Sequence, residues 1–255
     1  MTSANDATAS SASNAANGSS GSNGTNGFSD LSGHPRLIFI RHGQTTANTR
    51  QQLDTQLPGA PLTDIGVTQA RRLGSALLPD IDRINVVVTS HALRARQTGA
   101  GAVAGLHHLA GPGVRLRHIP GVHEIQAGDL EGRNDFDSHR IYLEHFFSWM
   151  QGRWDRQIPG GESGTDVLSR YLPELVQLLD DAASQETVKD VVIVSHGAAI
   201  RLVSQYLTGV DAEFVVKNRI RNAERIELVA RDADTPGIDA GKWEITRWGQ
   251  ITGGN

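Results

Sequence analysis

The chain has 255 residues, with 24 Lys and Arg against 28 Asp and Glu, a formal net charge of −4 and no cysteine. The missing cysteines exclude disulfides, thiolate metal sites and cysteine nucleophiles together, and make a reducing cytosol the expected home. So balanced a charge provides no general field for nucleic acid or an anionic membrane, neither of which is expected as a partner. No apolar run approaches the roughly 18 to 20 residues that a membrane span needs.

Residues 1–34 read as a low-complexity tail, since 25 of the first 27 are Ser, Asn, Gly, Ala or Thr. Such a segment has too little apolar surface to offset the entropy of ordering. No Lys or Arg precedes Arg36 and no apolar stretch follows the start, so neither a secretory signal nor a transit peptide fits. The sequons at Asn17 and Asn23 matter only in a chain that meets a glycosylating pathway. Residues 35–255 read as one domain, of a length usual for a single α/β unit.

Within that domain, Leu37 to Ile40, Val86 to Val88 and Val191 to Val194 are near-continuous apolar runs, the pattern of strands buried on both faces of a parallel sheet. Weaker strands are expected at 114–118, 225–230 and 243–246. Thr63 is a plausible N-cap for a helix with an apolar stripe of Val67, Ala70, Leu73 and Leu77 that stops near Pro79. Further helices are expected over about 92–105, 137–152, 164–183 and 198–207. Alternation of strand and helix predicts a doubly wound, mostly parallel sheet with helices on both faces.

In such sheets functional groups gather beyond the carboxyl ends of the strands. Arg41, His42 and Gly43 follow the first run; Thr89, Ser90 and Arg94 follow the second; Ser195, His196 and Gly197 follow the run at 191–194. A lone histidine there is ordinarily a hydrogen-bonded structural residue, and a lone arginine ordinarily ends in a salt bridge. Two histidines and two arginines at one rim repel each other unless an anion lies between them, and phosphate suits the planar fork of arginine. Both histidines precede a glycine, which lets the backbone turn and leaves room for a ligand. Chemistry also needs an acid or base, and the segment 121–133 supplies Glu124, Asp129 and Glu131, among which spacing alone does not choose.

These motifs resemble those of the histidine phosphatase superfamily, the phosphoglycerate-mutase-like proteins. RHGQTTAN (41–48) is similar to that family's Arg-His-Gly-Glu/Gln-Thr-x-x-Asn signature, and PLTDIGVTQA (61–70) to the helix start that follows it. TSHALRARQTG (89–99), HEIQAGDLEG (123–132), PGGES (159–163) and VSHG (194–197) complete the family order. The resemblance implies a phosphoglycerate-mutase-like fold, His42 as the nucleophile that becomes phosphorylated, and Arg41, Arg94 and His196 as holders of the phosphoryl oxygens. It implies Glu124 as the general acid, and Gln44, Asn48, Ser90 and Gly197 as substrate-binding residues around the pocket. It implies no cofactor and no metal, because fixed cationic donors meet the charge of the transferring group. Leu130 stands where the family usually carries Trp, which puts one wall of the pocket in question.

Two pairs of histidines, His107 with His108 and His139 with His145, bring no convincing metal-ligand set. Ser163 misses the Gly-x-Ser-x-Gly elbow, and Ser195 lacks a separate triad. Cofactor-dependent mutases of the family carry Arg-His-Tyr after the catalytic Glu, whereas Ile125, Gln126 and Ala127 stand here, so the resemblance implies a phosphatase acting on a small phosphomonoester. A mutase-type phosphotransferase and a catalytically silent phospho-ligand binder are the alternatives. The segment 134–159 is expected to set substrate choice, either with Tyr142, Phe146 and Trp149 as a buried helix face or as a lid presenting His139, Arg140 or Arg153. Arg219, Arg221 and Asn222 form either a solvated loop or a further edge of the pocket. A homodimer is compatible with the sequence, which leaves the oligomeric state open.

Overall fold

All four residues from Leu37 to Ile40 are 0% exposed, and their alternation explains the layering of the molecule. In the computed structural model, which describes residues 35–185, 189–231 and 237–252, they form the core of β1 (Arg36–Arg41). Ile38 and Ile40 pack with Leu73 and Leu77 of α2 (Asp64–Leu77) and with Ala102 and Leu106 of α3 (Leu93–Ala110). Leu37 and Phe39 point the other way, toward α4 (Phe136–Met150), α5 (Gly164–Ala183) and α6 (Gly197–Thr208). A strand covered on both faces cannot spare a polar position, which is why its sequence is a continuous apolar run. Truncating Phe39 to Ala would cost about 3–5 kcal/mol.

The sheet has seven strands in the order β3-β2-β4-β1-β5-β6-β7. β2 (Val86–Ser90), β3 (Arg115–Ile119) and β4 (Val191–Ser195) run parallel to β1 or to one another, with Arg41 opposite Ser195 and Thr89 opposite Val194. Their carboxyl ends therefore finish on one line. β5 (Arg225–Ala230) pairs antiparallel with β1, followed by antiparallel β6 (Trp243–Trp248) and β7 (Ile251–Thr252). Because β5 runs the other way, its amino end lies at the carboxyl end of β1. The doubly wound, mostly parallel architecture expected from the sequence is present, with two short helices added, α1 (Thr46–Thr49) and α7 (Ala212–Lys217).

Thr63 caps α2, accepting from the Gly66 amide, as its position predicts. Val67, however, is 38% exposed, and Gly66 takes the inward position instead. A Cβ on Gly66 would lie 2.1 Å from the carbonyl oxygen of Gln44, so the amino end of α2 presses directly on the backbone that carries His42. Tyr142, Phe146 and Trp149 are buried in the core, which makes α4 a packed helix over that face. Leu130 is buried in the same core and is not among the residues lining the cavity beside Arg41, so its departure from Trp alters packing. Ser163 caps α5 in a reciprocal box with Asp166. The tail of 1–34 lies outside the described residues. Among those described, no helix is long and apolar enough to cross a membrane.

Candidate active site

His42 is the first residue past β1 and is only 4% exposed. Its amide donates to Ser195 O at 3.0 Å. Its Nδ1 lies 2.7 Å from Gly43 O. A carbonyl can only accept, so Nδ1 carries the proton and Nε2 keeps its lone pair. Burial, reinforced by repulsion from Arg94 and Arg41, holds this imidazole well below its ordinary pKa. Gly43 and Gly197 both have negative φ or extended backbones, so their role is closeness of approach and not a turn. A Cβ on Gly43 would lie 2.7 Å from Gly66 O, and one on Gly197 3.1 Å from Arg41 Nε.

His196, at the end of β4, is fully buried, its ring centroid 5.3 Å from that of His42. Arg94 Nε donates to its Nδ1 at 3.2 Å, and Ser90 Oγ lies 2.7 Å from its Nε2. Since arginine cannot accept, Nε2 must bear the proton and donate to Ser90. This second imidazole is also neutral, lowered well below its usual pKa first by burial and then by Arg94 and His42. Ser90 therefore orients His196 from inside the core.

The arginines are only partly compensated. Arg94, 2% exposed, reaches Asp54 through Nη1 at 3.4 Å. Arg41 donates from Nη1 to Ile220 O at 2.8 Å, and its buried Nε has no partner. Burial lowers the pKa of Arg41; Glu124 opposes that shift, and Arg94 and Arg219 add to it. A buried guanidinium N–H without an acceptor, set among further cations, is a socket for an oxyanion.

Glu124 is the one acid of the three candidates that joins this group. Its carboxylate accepts from Ile125 N at 3.0 Å, Ala198 N at 3.2 Å and Ala199 N at 2.9 Å, which docks it on the amino terminus of α6 next to His196. Glu131 is instead consumed by the amides of Thr55 and Gln56 and the hydroxyl of Thr55, and Asp129 is exposed. Gln44 Oε1 accepts from Thr63 Oγ1 at 2.9 Å, tying it to the cap of α2. Asn48 Oδ1 accepts from Thr45 N and from Asn222 Nδ2, which turns its amide nitrogen away from both donors. Asn48, Arg41, Arg219 and Asn222 line a common cavity of about 1120 Å³.

Several residues at the site were not singled out by sequence reasoning. Arg170 on α5 donates to the carbonyls of Gly121, His123 and Glu124 and forms a fork with both oxygens of Glu162. Glu162 in turn accepts from Gln126 N at 2.9 Å, so the pair clamps the segment that presents Glu124. The signal was available in the glutamate of PGGES, but its partner lies in the middle of a helix, where an arginine reads as solvated. Arg201 lies 4.8 Å from the Phe146 ring and donates from Nε to Gly197 O at 2.9 Å, fixing the first turn of α6. Asn222, which the sequence did single out as either a solvated loop residue or a further edge of the pocket, donates from Nδ2 to His42 O at 3.0 Å.

A family model described as the histidine phosphatase superfamily, branch 1, matches residues 37–250. The chain belongs to the histidine phosphatase superfamily. Among members of this superfamily it is similar to the 2,3-bisphosphoglycerate-dependent phosphoglycerate mutase of Azorhizobium caulinodans, 30% identical over 72% of this chain and 86% of the relative. Its fold is similar to that of a mycobacterial glucosyl-3-phosphoglycerate phosphatase in complex with VO3, at 25% identity and a TM-score of 0.65, covering 84% of this chain and 99% of that one. It is similar as well to the alpha-ribazole phosphatase of Shigella flexneri, at 25% identity and a TM-score of 0.57, covering 80% and 98% of the two chains. The relative similar in sequence is thus a mutase, whereas the two similar structures are phosphatases.

Proposed function

We propose that the protein is a phosphomonoesterase acting through a phosphohistidine on His42, independent of any metal. One observation carries this reading: a buried imidazole with its lone pair fixed on Nε2, beside a second neutral imidazole and the unpartnered Nε of Arg41. His42 Nε2 attacks phosphorus as Glu124 gives its proton to the leaving ester oxygen, so the P–N bond forms and the P–O bond breaks with release of the alcohol. Arg41, Arg94, the amide of Gly197 and His196 meet the charge on the equatorial oxygens. In the second half Glu124 takes a proton from water, which attacks phosphorus and restores His42 with release of phosphate. Asn48, which lines the cavity with Arg41, would donate from its amide nitrogen to the same oxygens, while Gln44 and Ser90 act by holding α2 and His196 in place.

Water as acceptor is supported by the residues after Glu124. Ile125 and Ala127 are fully buried, and Gln126 Nε2 is engaged with Thr55 O and Glu124 O, so this segment offers no cation to a phosphoglycerate carboxylate. The test is rapid quenching of the protein with a ³²P-labelled phosphomonoester, together with release of p-nitrophenol from p-nitrophenyl phosphate in EDTA. The expected result is an acid-labile label and EDTA-insensitive turnover, both lost in His42→Ala by roughly 10⁴-fold or more. An unlabelled protein, or activity abolished by EDTA, would overturn the reading. Interconversion of phosphoglycerates faster than phosphate release would assign the mutase reaction instead.

A further inference from the structure

The cavity that opens beside Arg41 is far larger than a phosphoryl group needs and slightly exceeds the roughly 300–1,000 Å³ typical of sites for whole small molecules. Its cations differ in their freedom. Arg140 is bound by Glu144 at 2.7 Å and by Asp137 at 3.4 Å. His139 Nε2 donates to Gln51 O at 2.7 Å. Arg153, the third basic residue expected to meet substrate, does not line the cavity and donates to Gln151. Arg219, in the segment between α7 and β5, lines the cavity, is exposed, and forms no hydrogen bond or ion pair among the described residues.

Besides Arg219 itself, Arg41, His139, Arg140 and Glu144, the lining is apolar or uncharged. Phe136 is 80% exposed at the rim, and Leu143, Phe147 and Val216 continue that wall. The one carboxylate lining the cavity, Glu144, is spent on Arg140. Arg219 is exposed and close enough to Arg41 for the two guanidiniums to repel each other, so an anion placed in this cavity is attracted to both. In the proposed reaction the Arg41 site takes the phosphoryl group that reacts, which leaves Arg219 available to a second anionic group in the same cavity.

We propose that Arg219 is a specificity-determining residue that receives a second anionic group of the substrate, a carboxylate or a second phosphate, borne on a partly apolar body that lies along Phe136 and Phe147. This rests on the phosphomonoesterase reading and names the substrate class of that same site. Monoesters whose remainder is neutral lack this contact and are turned over less efficiently.

The test is a comparison of kcat/KM for matched pairs: phenyl phosphate against 4-carboxyphenyl phosphate, and fructose 6-phosphate against fructose 1,6-bisphosphate, in the wild type, Arg219→Ala and Arg219→Lys. The wild type should prefer the doubly anionic member of at least one pair. Which pair responds identifies a carboxylate or a phosphate as the second group. Arg219→Ala should cut that preference by roughly tenfold to a hundredfold, the range for a lost charge-assisted hydrogen bond, through KM more than kcat. Arg219→Lys should restore part of it. Unchanged melting temperatures are expected, because Arg219 makes no contact in the fold that its loss would leave unpaired. Equal loss on both members of every pair, or no preference in the wild type, would overturn the assignment and leave the phosphatase reading intact. Absence of turnover and of phosphoenzyme with every ester would overturn both.

Discussion

At the scale of single residues, the decisive facts are tautomers. His42 and His196 sit 5.3 Å apart, each with a defined proton position imposed by Gly43 O in one case and Arg94 in the other. Both are pushed well below the ordinary imidazole pKa of 6.5 by burial and neighbouring cations, so the reactive neutral form of His42 survives mild acid. The acid limb of kcat/KM, corrected for ionisation of the ester, should therefore lie well below pH 6.5; an inflection at 6.5 or above would contradict this environment. Glu124→Gln should still accept a phosphoryl group from p-nitrophenyl phosphate, whose leaving group needs no proton, yet release it about 10²- to 10⁴-fold more slowly in single-turnover measurements. The histidines, arginines and Glu124 were legible as motif positions. The service of Ser90 to His196 was not, because a hydroxyl at a strand end gives no sign of whether it faces ligand or core.

At the scale of elements, the site depends on how helices bear on its loops. Arg170 binds three carbonyls of the Glu124 segment and both oxygens of Glu162. Arg170→Ala would leave those groups unpaired, and should lower the melting temperature by several degrees and kcat at least tenfold. Arg170→Lys keeps the charge without the fork, so thermal stability should recover more than kcat. Gly66→Ala should act similarly from the other side, since its Cβ would collide with Gln44 O and push on the chain next to His42. The expected cost is about 1–3 kcal/mol in a denaturation experiment, with a fall in kcat beyond what unfolding explains. Long strands and capped helices were readable because burial on both faces and the caps at Thr63 and Ser163 leave marks in the sequence. The short elements α1, α7 and β7 were not, having four, six and two residues and no room for a periodic stripe.

At the scale of the whole molecule, protons and anions are linked to stability. His42 and His196 have folded pKa values depressed below the unfolded 6.5, and His123 is lowered to about 4, chiefly by burial. For a depressed group the stabilisation is complete above the unfolded pKa and is lost as pH falls toward the folded one. Asp190 adds to this at lower pH: burial alone would raise it, but hydrogen bonds from Arg83 and Arg36 outweigh burial and hold it below its ordinary value. The melting temperature should therefore decline as pH falls from about 6.5. An anion between the histidines offsets their cationic neighbours and favours proton uptake, so sulfate, a dianion throughout this range, should raise the melting temperature more at pH 5.5 than at pH 8. A sulfate effect independent of pH would contradict the linkage. The parallel half of this architecture was readable from its apolar runs; the left-handed backbone at Ala223, φ +61°, whose amide reaches Arg41 O at 3.0 Å, was not, because alanine gives no hint of that conformation.

The reversal of direction between β1 and β5 decides which changes of sequence the rim can absorb. It brings residues 218–224 to the rim, where Ile220 O holds the Arg41 side chain, Asn222 holds His42 O and Glu224 O accepts from the Arg41 amide. The stretch that carries Arg219 is thus also a brace for the catalytic backbone. Exchanging the side chain at 219 leaves this brace intact, whereas a single inserted or deleted residue would slip it and should lower activity. A library built on this chain should accordingly tolerate every amino acid at 219 for folding, and almost no change in the length of the segment around it.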